Sequence, residues 1–511
     1  MSKRQKRNVL QLFENVKEGL RQLPDAREEE VLQILQVMQE AVISVGDIVE
    51  KCTENYDKAV VLLTDLAELI YQLSLDNNYA NAQRQEEVEQ LCDDARCEVE
   101  AIFPTAYEVL FLPYKVSMWD ALESVYAEAK KAQNCSVRVM PVPYYHVTED
   151  RTDLIMEYEG DLFPEEMEIT DYREYEIADI QPDVIFIHNP YDDKNRVTSL
   201  AERYFSSELK KYTDRLVYIP YKVCIDKVSD FYCVMPGVKN AWRVFVQSEQ
   251  VRDVYLKYNV SDKIITTGSP KIDKIVHNEA CKPEMPNEWK HVLGGRKIFL
   301  LNTHLSNIIN DSDSMIRGLQ QVIAAFEGRN KAAILWRPHP LSIETAKAMN
   351  PDVLESYLET IKQFKQLDNG LYDETPDPHL AIALADAYIG DWSSLVTMFG
   401  VTGKPVYIRD FTVREKCKLE YGKTINVQEK LVEASGDRRL ATAYYEDIIC
   451  LEDYVDMMLN GEDILASERK KEFANLVYNT QGTVGKHIWK YVENDLRCET
   501  EECLYSAIHS V

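Results

Sequence analysis

Apolar residues in the first hundred positions recur at helical spacing. Val31, Ile34, Leu35 and Met38 form one run, and Val60, Leu63, Leu66, Leu69 and Ile70 another. Residues three and four apart share one face of a helix, so each run predicts a helix with a buried stripe. Residues 1 to about 102 hold one proline, Pro24, and no glycine-rich turn. They are expected to form a helical hairpin or small bundle, a module without chemistry of its own. Its expected use is contact with a second copy of the chain or with another protein.

The pattern changes at Phe103-Pro104. Short apolar runs of strand type follow at 109–112, 136–142, 182–187 and 216–219, with helical patterns at 119–132 and 197–212. Residues 148–178 are rich in Glu, Asp and Tyr without periodicity, and are read as an insertion. A second series of strand-type runs occupies 264–267, 297–301, 332–335, 387–389 and 405–408, with helical patterns at 314–326 and 343–349. Strands alternating with helices predict parallel sheets covered on both faces. The tail, 444–494, is helical with a break at Asn479-Thr480-Gln481-Gly482.

The expected fold class is therefore α/β: two Rossmann-like domains facing a cleft, a GT-B-like plan, behind an N-terminal helical module. The expected divisions are 1–102 for that module, 103–262 and 263–440 for the two α/β domains, and 441–511 for a helical closure. No repeat of fixed period and no low-complexity segment appears.

Composition narrows the partners. The chain has 511 residues, 45% hydrophobic and 28% charged, with a formal charge of −28. That length calls for more than one domain. The acidic balance argues against broad nucleic-acid binding, which needs clustered Lys and Arg, and against general adhesion to anionic membrane. Lys3, Arg4, Lys6 and Arg7 form one small basic patch, read as a solvated tail. No uninterrupted apolar stretch approaches the roughly 18 residues of a membrane span. Glu14, Lys17 and Glu18 interrupt what a signal peptide would keep apolar. The eleven cysteines are scattered and lack a CxxC pair, which suits free thiols in a reducing compartment. The expected location is the cytoplasm, with the inner face of the membrane as a peripheral station.

Candidate chemistry lies at strand ends, where open α/β sheets bind ligands. Gly268-Ser269-Pro270-Lys271-Ile272-Asp273 follows one strand, with Ser269 expected to cap a helix that begins at Pro270. Asn302-Thr303-His304 follows the next, Arg337-Pro338-His339-Pro340 the third, and Asp391-Trp392-Ser393-Ser394 the fourth. Cations, hydroxyls and a helix start are what a nucleotide diphosphate needs.

In that order, these segments resemble the CDP-glycerol glycerophosphotransferases of teichoic-acid and related polymer synthesis. Their nucleotide domain carries a Gly-Ser-Pro-Arg-x-Asp-like turn, a Pro-Thr-like strand end, an Arg-x-His-Pro segment and an Asp-x-Ser-Ser segment. Gly403-Lys404-Pro405-Val406 also looks like the family's next strand opening. The resemblance is good over about 215–410, faint to 490, and absent from the first hundred residues. Two departures stand out. The family's acceptor-side His-Gly-Thr-Pro segment has no histidine in the matching 216–223, where Tyr221 and Lys222 stand as acceptor-side candidates. An acidic residue expected after Ser-Ser is replaced by Thr397 and Met398.

The resemblance implies transfer of an alditol phosphate from CDP-glycerol or a related CDP-alditol to an acceptor hydroxyl, with release of CMP. The acceptor would be a polymer or glycan, including a lipid-linked one. Lys271, Asn302, Thr303, Arg337, Asp391, Ser393 and Ser394 would hold the donor. His339 would assist the leaving phosphate, and His188, at the end of the 182–187 run, would replace the missing base. No metal or other cofactor is called for, since Asp192-Asp193 is the nearest acidic pair and suits a solvated turn. Two other readings share these residues: a GT-B glycosyltransferase using a nucleotide sugar, and a catalytically diverged nucleotide-binding or scaffold protein.

Overall fold

Four helices open the chain: α1 (Lys3–Gln22), α2 (Glu28–Cys52), α3 (Asp57–Leu75) and α4 (Ala82–Ile102). Each packs on its neighbour in sequence, and α1 also packs on α4, which closes a four-helix bundle. The core repeats every three or four residues: Val9, Phe13, Val16 and Leu20 on α1, and Val31, Leu35, Met38, Val42, Val45 and Val49 on α2. That spacing is the seam pattern of bundle helices. Among the described residues, the stretch Glu29–Lys51 is the one helix long and apolar enough to cross a membrane, at mean hydropathy 1.3. Its stripe from Val31 to Val49 is buried against the other three helices.

This computed structural model describes residues 3–409, 445–446 and 451–508, apart from 53–55, 76–78, 80, 103–105, 147–154, 196–197, 225–227, 376 and 392. The expected boundaries at 102/103 and 440/441 adjoin or fall on residues outside that description.

The first α/β domain is built on β1 (Tyr107–Leu112), β2 (Cys135–Val139), β5 (Val184–Ile187), β7 (Arg215–Tyr218), β8 (Arg243–Val246) and β9 (Ile264–Thr266). They form one sheet in the order β2-β1-β5-β7-β8-β9, parallel throughout. β9 corrects the expected boundary at 262/263. It hydrogen-bonds to β8 through Val244↔Ile264 and Val246↔Thr266, so the first domain extends to about residue 267. The region expected to be helical at 197–212 also differs. Among the described residues it contains β6 (Thr198–Leu200), which joins β3 (Tyr144–His146) and β4 (Ile155–Glu157) in a small antiparallel sheet, a 3-10 turn at Glu202–Tyr204 and one short α-helix, Ser206–Leu209. Part of the 148–178 insertion, β4, is thus tied down by strand pairing.

The second domain holds β10 (Lys297–Thr303), β11 (Ala332–Pro338), β12 (Gly370–Tyr372), β13 (Ala387–Gly390), β14 (Val406–Ile408) and β15 (Tyr445–Glu446), in the order β12-β11-β10-β13-β14-β15. This is the doubly wound Rossmann order, with the chain reversing its direction of winding between β10 and β13. Nearly every residue of β10, β11 and β13 is buried, as expected for strands covered by helices on both faces. The tail then recrosses. Val484, Ile488, Trp489, Val492 and Leu496 of the helix Val484–Ile508 pack into the first domain's core, so the chain ends on the domain it built first.

Candidate functional site

The second sheet's point of reversal sets the site's floor. Asn302 and Gly390 are register partners at the carboxyl ends of β10 and β13. A Cβ on Gly390 would lie 2.3 Å from the Asn302 carbonyl oxygen, so only glycine fits this approach. Asn302 knits the strand ends together. Its Nδ2 donates to the Arg337 carbonyl at 3.0 Å, and its Oδ1 accepts from the Ser393 and Tyr388 hydroxyls at 3.0 and 3.2 Å. Thr303 Oγ1 accepts from Trp336 Nε1 at 3.2 Å. Asp391, also buried, accepts the His304 backbone N–H at 2.8 Å. Ser393 caps the helix Ser394–Gly400 by accepting Leu395 N–H at 3.3 Å, while Ser394 is exposed. Asn302, Thr303, Asp391 and Ser393 are therefore brought together, with Asn302 and Ser393 bonded to each other, Thr303 to Trp336 and Asp391 to the His304 backbone.

Two expected phosphate-binding cations are already neutralised. Arg337 is buried; its guanidinium donates to Asp373 Oδ2 at 2.5 Å and to Thr375 Oγ1 at 3.1 Å. Lys271, on the helix Pro270–Cys281, reaches across to the first domain and pairs with Asp120 at 2.8 Å. Asp120 also bonds His379 Nε2 at 2.8 Å, and all three side chains are buried. Burial pushes the Asp120 carboxyl up, but Lys271 and His379 outweigh it and hold the group below the ordinary carboxylate range. This triad joins the two domains. His379 also lies at a strand's exit, past β12, and the same strand-end rule that found the other residues reaches it.

His188 corrects another expectation. It follows β5, but its imidazole is fully buried and does not reach the cleft surface. Its Nε2 accepts the Tyr114 N–H at 3.3 Å, and its ring packs against Tyr114 and Tyr221. Burial first, and then the Lys271 charge, push its pKa down to about 3. A nitrogen occupied by a backbone donor in this setting makes His188 a structural acceptor. Ser269 departs from expectation too: it precedes the helix at Pro270, but its hydroxyl makes no capping bond.

Another histidine takes the exposed position. β10 and β11 pair up to Thr303↔Pro338, so the next residues, His304 and His339, emerge side by side. His339 N–H extends the ladder to Thr303 O at 3.0 Å, and the two rings meet edge to face at 5.9 Å. Both are half-buried. Burial and then His304 lower the pKa of His339; burial and then the Lys222 ammonium lower that of His304. Lys222 belongs to the first domain, so a charge from that domain acts on His304. His339 Nδ1 accepts Leu341 N–H at 3.2 Å, which in the neutral ring puts the proton on Nε2. Beside Lys222, the Tyr221 hydroxyl bonds that of Tyr191 at 2.9 Å.

The stretch 240–421, which carries β10, β11, β13 and both histidines, matches the family described as CDP-Glycerol:Poly(glycerophosphate) glycerophosphotransferase. The match supports the resemblance to the CDP-glycerol glycerophosphotransferases that the strand-end segments carry. No curated protein sequence matches the chain. Among solved structures, the wall teichoic acid polymerase TagF is similar at 11% identity over 84% of this chain and 98% of its own, with a TM-score of 0.47. The UDP complex of S. aureus MnaA is similar at 12% identity over 76% and 97%, with a TM-score of 0.46. UDP-GlcNAc 2-epimerase from Neisseria meningitidis, bound to UDP-GlcNAc, is similar at 13% identity over 76% and 100%, with a TM-score of 0.45. At these values the likenesses carry nothing about ligand or reaction.

Proposed function

We propose that the protein transfers an alditol phosphate from a CDP-alditol, CDP-glycerol first among them, to an acceptor hydroxyl. The acceptor oxygen forms a bond to the β-phosphorus, the bond from that phosphorus to the bridging oxygen breaks, and CMP leaves. The single observation that carries this reading is the His304–His339 pair, held edge to face at 5.9 Å at the carboxyl ends of β10 and β11 in the family-matched sheet. His304, kept neutral at pH 7, accepts the acceptor's proton. His339 Nε2–H donates to the departing phosphate, the donor role that its bond to Leu341 N–H leaves open. Lys222 offsets developing charge from the acceptor side. Phosphoryl transfer asks chiefly for such positioning and neutralisation. Lys271, Arg337 and Ser393 support the site through their neighbours Asp120, Asp373 and Asn302.

The test is product analysis of the full chain with CDP-glycerol, CDP-ribitol and UDP-sugars. CMP release from a CDP-alditol, rising with a hydroxylated acceptor, is expected. Release of UDP from a UDP-sugar, with no CMP from any CDP-alditol, would replace this reading with that of a glycosyltransferase.

A further inference from the structure

Asp391 is the first residue past β13, and its backbone is tied on both sides. Its N–H donates to Asn302 O at 3.2 Å, and its carbonyl accepts the Tyr388 hydroxyl at 3.1 Å. Its side chain is 3% exposed, and Oδ2 accepts the His304 N–H at 2.8 Å. A buried carboxylate is kept only where hydrogen bonds offset its lost hydration. Here the bond goes to the residue that the proposed reaction uses as base. A carboxylate also repels a diphosphate, which sets Asp391 apart from the donor ligands expected at the neighbouring strand ends.

One peptide group shows what that bond does. The group joining Thr303 to His304 is planar and turns as a unit. From the β11 side its carbonyl accepts the His339 N–H at 3.0 Å, and on the β13 side its own N–H donates to Asp391. Gripped at both edges, the plane resists rotation and sets where the His304 side chain leaves the sheet. The edge-to-face contact of His304 with His339 at 5.9 Å depends on that exit. Without the carboxylate the plane loses its grip on the β13 side, and the imidazole drifts from its partner.

We infer that Asp391 is a positioning residue, which acts through the His304 backbone and touches neither donor nor acceptor. That it serves catalysis rests on the transferase reading above; that it holds the His304 ring in place does not.

The experiment uses the full chain with Asp391→Asn, which keeps an acceptor oxygen, and Asp391→Ala, which has none in its side chain. The His304 Cε1–H resonance, identified by its loss in His304→Ala, reads the ring's position without any activity. It should move in Asp391→Ala and stay in Asp391→Asn. With CDP-glycerol and a hydroxylated acceptor, kcat for CMP release should fall about 100-fold in Asp391→Ala, the scale of a misplaced group, with donor KM and CMP affinity unchanged. Asp391→Asn should recover kcat to within about fivefold of wild type. In a His304→Ala background, Asp391→Ala should lower kcat no further, whereas a merely structural role would add its loss to the first. A folded Asp391→Ala with an unmoved His304 resonance, additive losses in that cycle, or CMP affinity lost while kcat stays would overturn the inference. Should melting curves show that Asp391→Ala does not fold, Asp391→Asn decides alone: a moved resonance there would mean that charge, not acceptance of the N–H, is what Asp391 supplies. Absence of CMP release from every CDP-alditol would end the transferase reading and leave the resonance test as it stood.

Discussion

Three histidines at strand exits carry the same cue in sequence and meet different fates. His188 is sealed under Tyr114 and Tyr221, whereas His304 and His339 emerge half-buried and side by side past β10 and β11. Replacing His304 or His339 with Ala is expected to cut CMP release by roughly 100- to 10,000-fold, the usual range for general acid–base groups. Melting should change little, since both rings are half-buried; a variant with wild-type turnover would remove that histidine from the mechanism. Because both pKa values are lowered, the neutral pair persists below pH 6.5, and turnover should fall only on further acidification. His188 acts on stability instead. Its folded pKa of about 3 lies below the unfolded value, so the unfolded state binds the extra proton as pH drops. Stability should therefore decline from about pH 6.5 toward pH 3, by up to about 1.4 kcal/mol per pH unit. His188→Asn retains an acceptor for Tyr114 N–H and should flatten that slope in urea titrations run at several pH values. Arg337→Ala is expected to strand the Asp373 carboxylate, whose side chain is 1% exposed, at a cost of about 3–5 kcal/mol. Its main effect would be a lower melting temperature, with weaker donor binding as a consequence.

At the scale of elements, β10 and β13 make the site by coming close where the winding reverses. Gly390→Ala puts a methyl group against the Asn302 backbone, so the strand ends must part and the Asn302 bonds to Ser393 and Arg337 must loosen. The expected result is a destabilised second domain with impaired CMP binding; a crystal structure of the variant with both strand ends unmoved would contradict this. Which runs became strands was legible from apolar patterning at β1, β5, β7, β10, β11, β13 and β14. β8 and β12 are not among those runs: Gly370–Tyr372 opens on a glycine and is only partly buried, and Arg243–Val246 is placed by its pairing with β7 and β9. The 197–212 stretch read as helix from composition, and β6 exists there because β3 offers it an antiparallel edge.

For the whole molecule, two features decide behaviour: a self-contained bundle and a charged joint between domains. The bundle's buried stripes close on themselves across α1 to α4, so deletion of residues 1–102 should leave the remainder folded and able to bind CMP. A truncated protein that cannot be recovered folded would show that the bundle is part of the catalytic body. The joint pairs Asp120 with Lys271, 151 positions on, and with His379, 259 positions on. Asp120→Ala leaves a buried ammonium without its carboxylate and should cost about 3–5 kcal/mol. It should also loosen the cleft, seen as a larger radius of gyration by small-angle scattering; an unchanged radius would mean that the remaining contacts, the Lys274–Glu123 pair among them, hold the domains.

The sequence by itself determined the local facts: the helical front, the alternation that yields two parallel sheets, and the strand exits where Asn302, Thr303, Arg337, His339, Asp391 and Ser393 cluster. Those follow from periodicity and turn chemistry within a few residues of each position. Tertiary structure decided which groups remain available. Lys271 and Arg337 read as open cations, but Asp120 and Asp373 meet them across distances in sequence that no local pattern spans. It decided, too, that His304 and not His188 stays open to solvent, because strand register sets which side chain emerges and packing depth sets whether water can reach it.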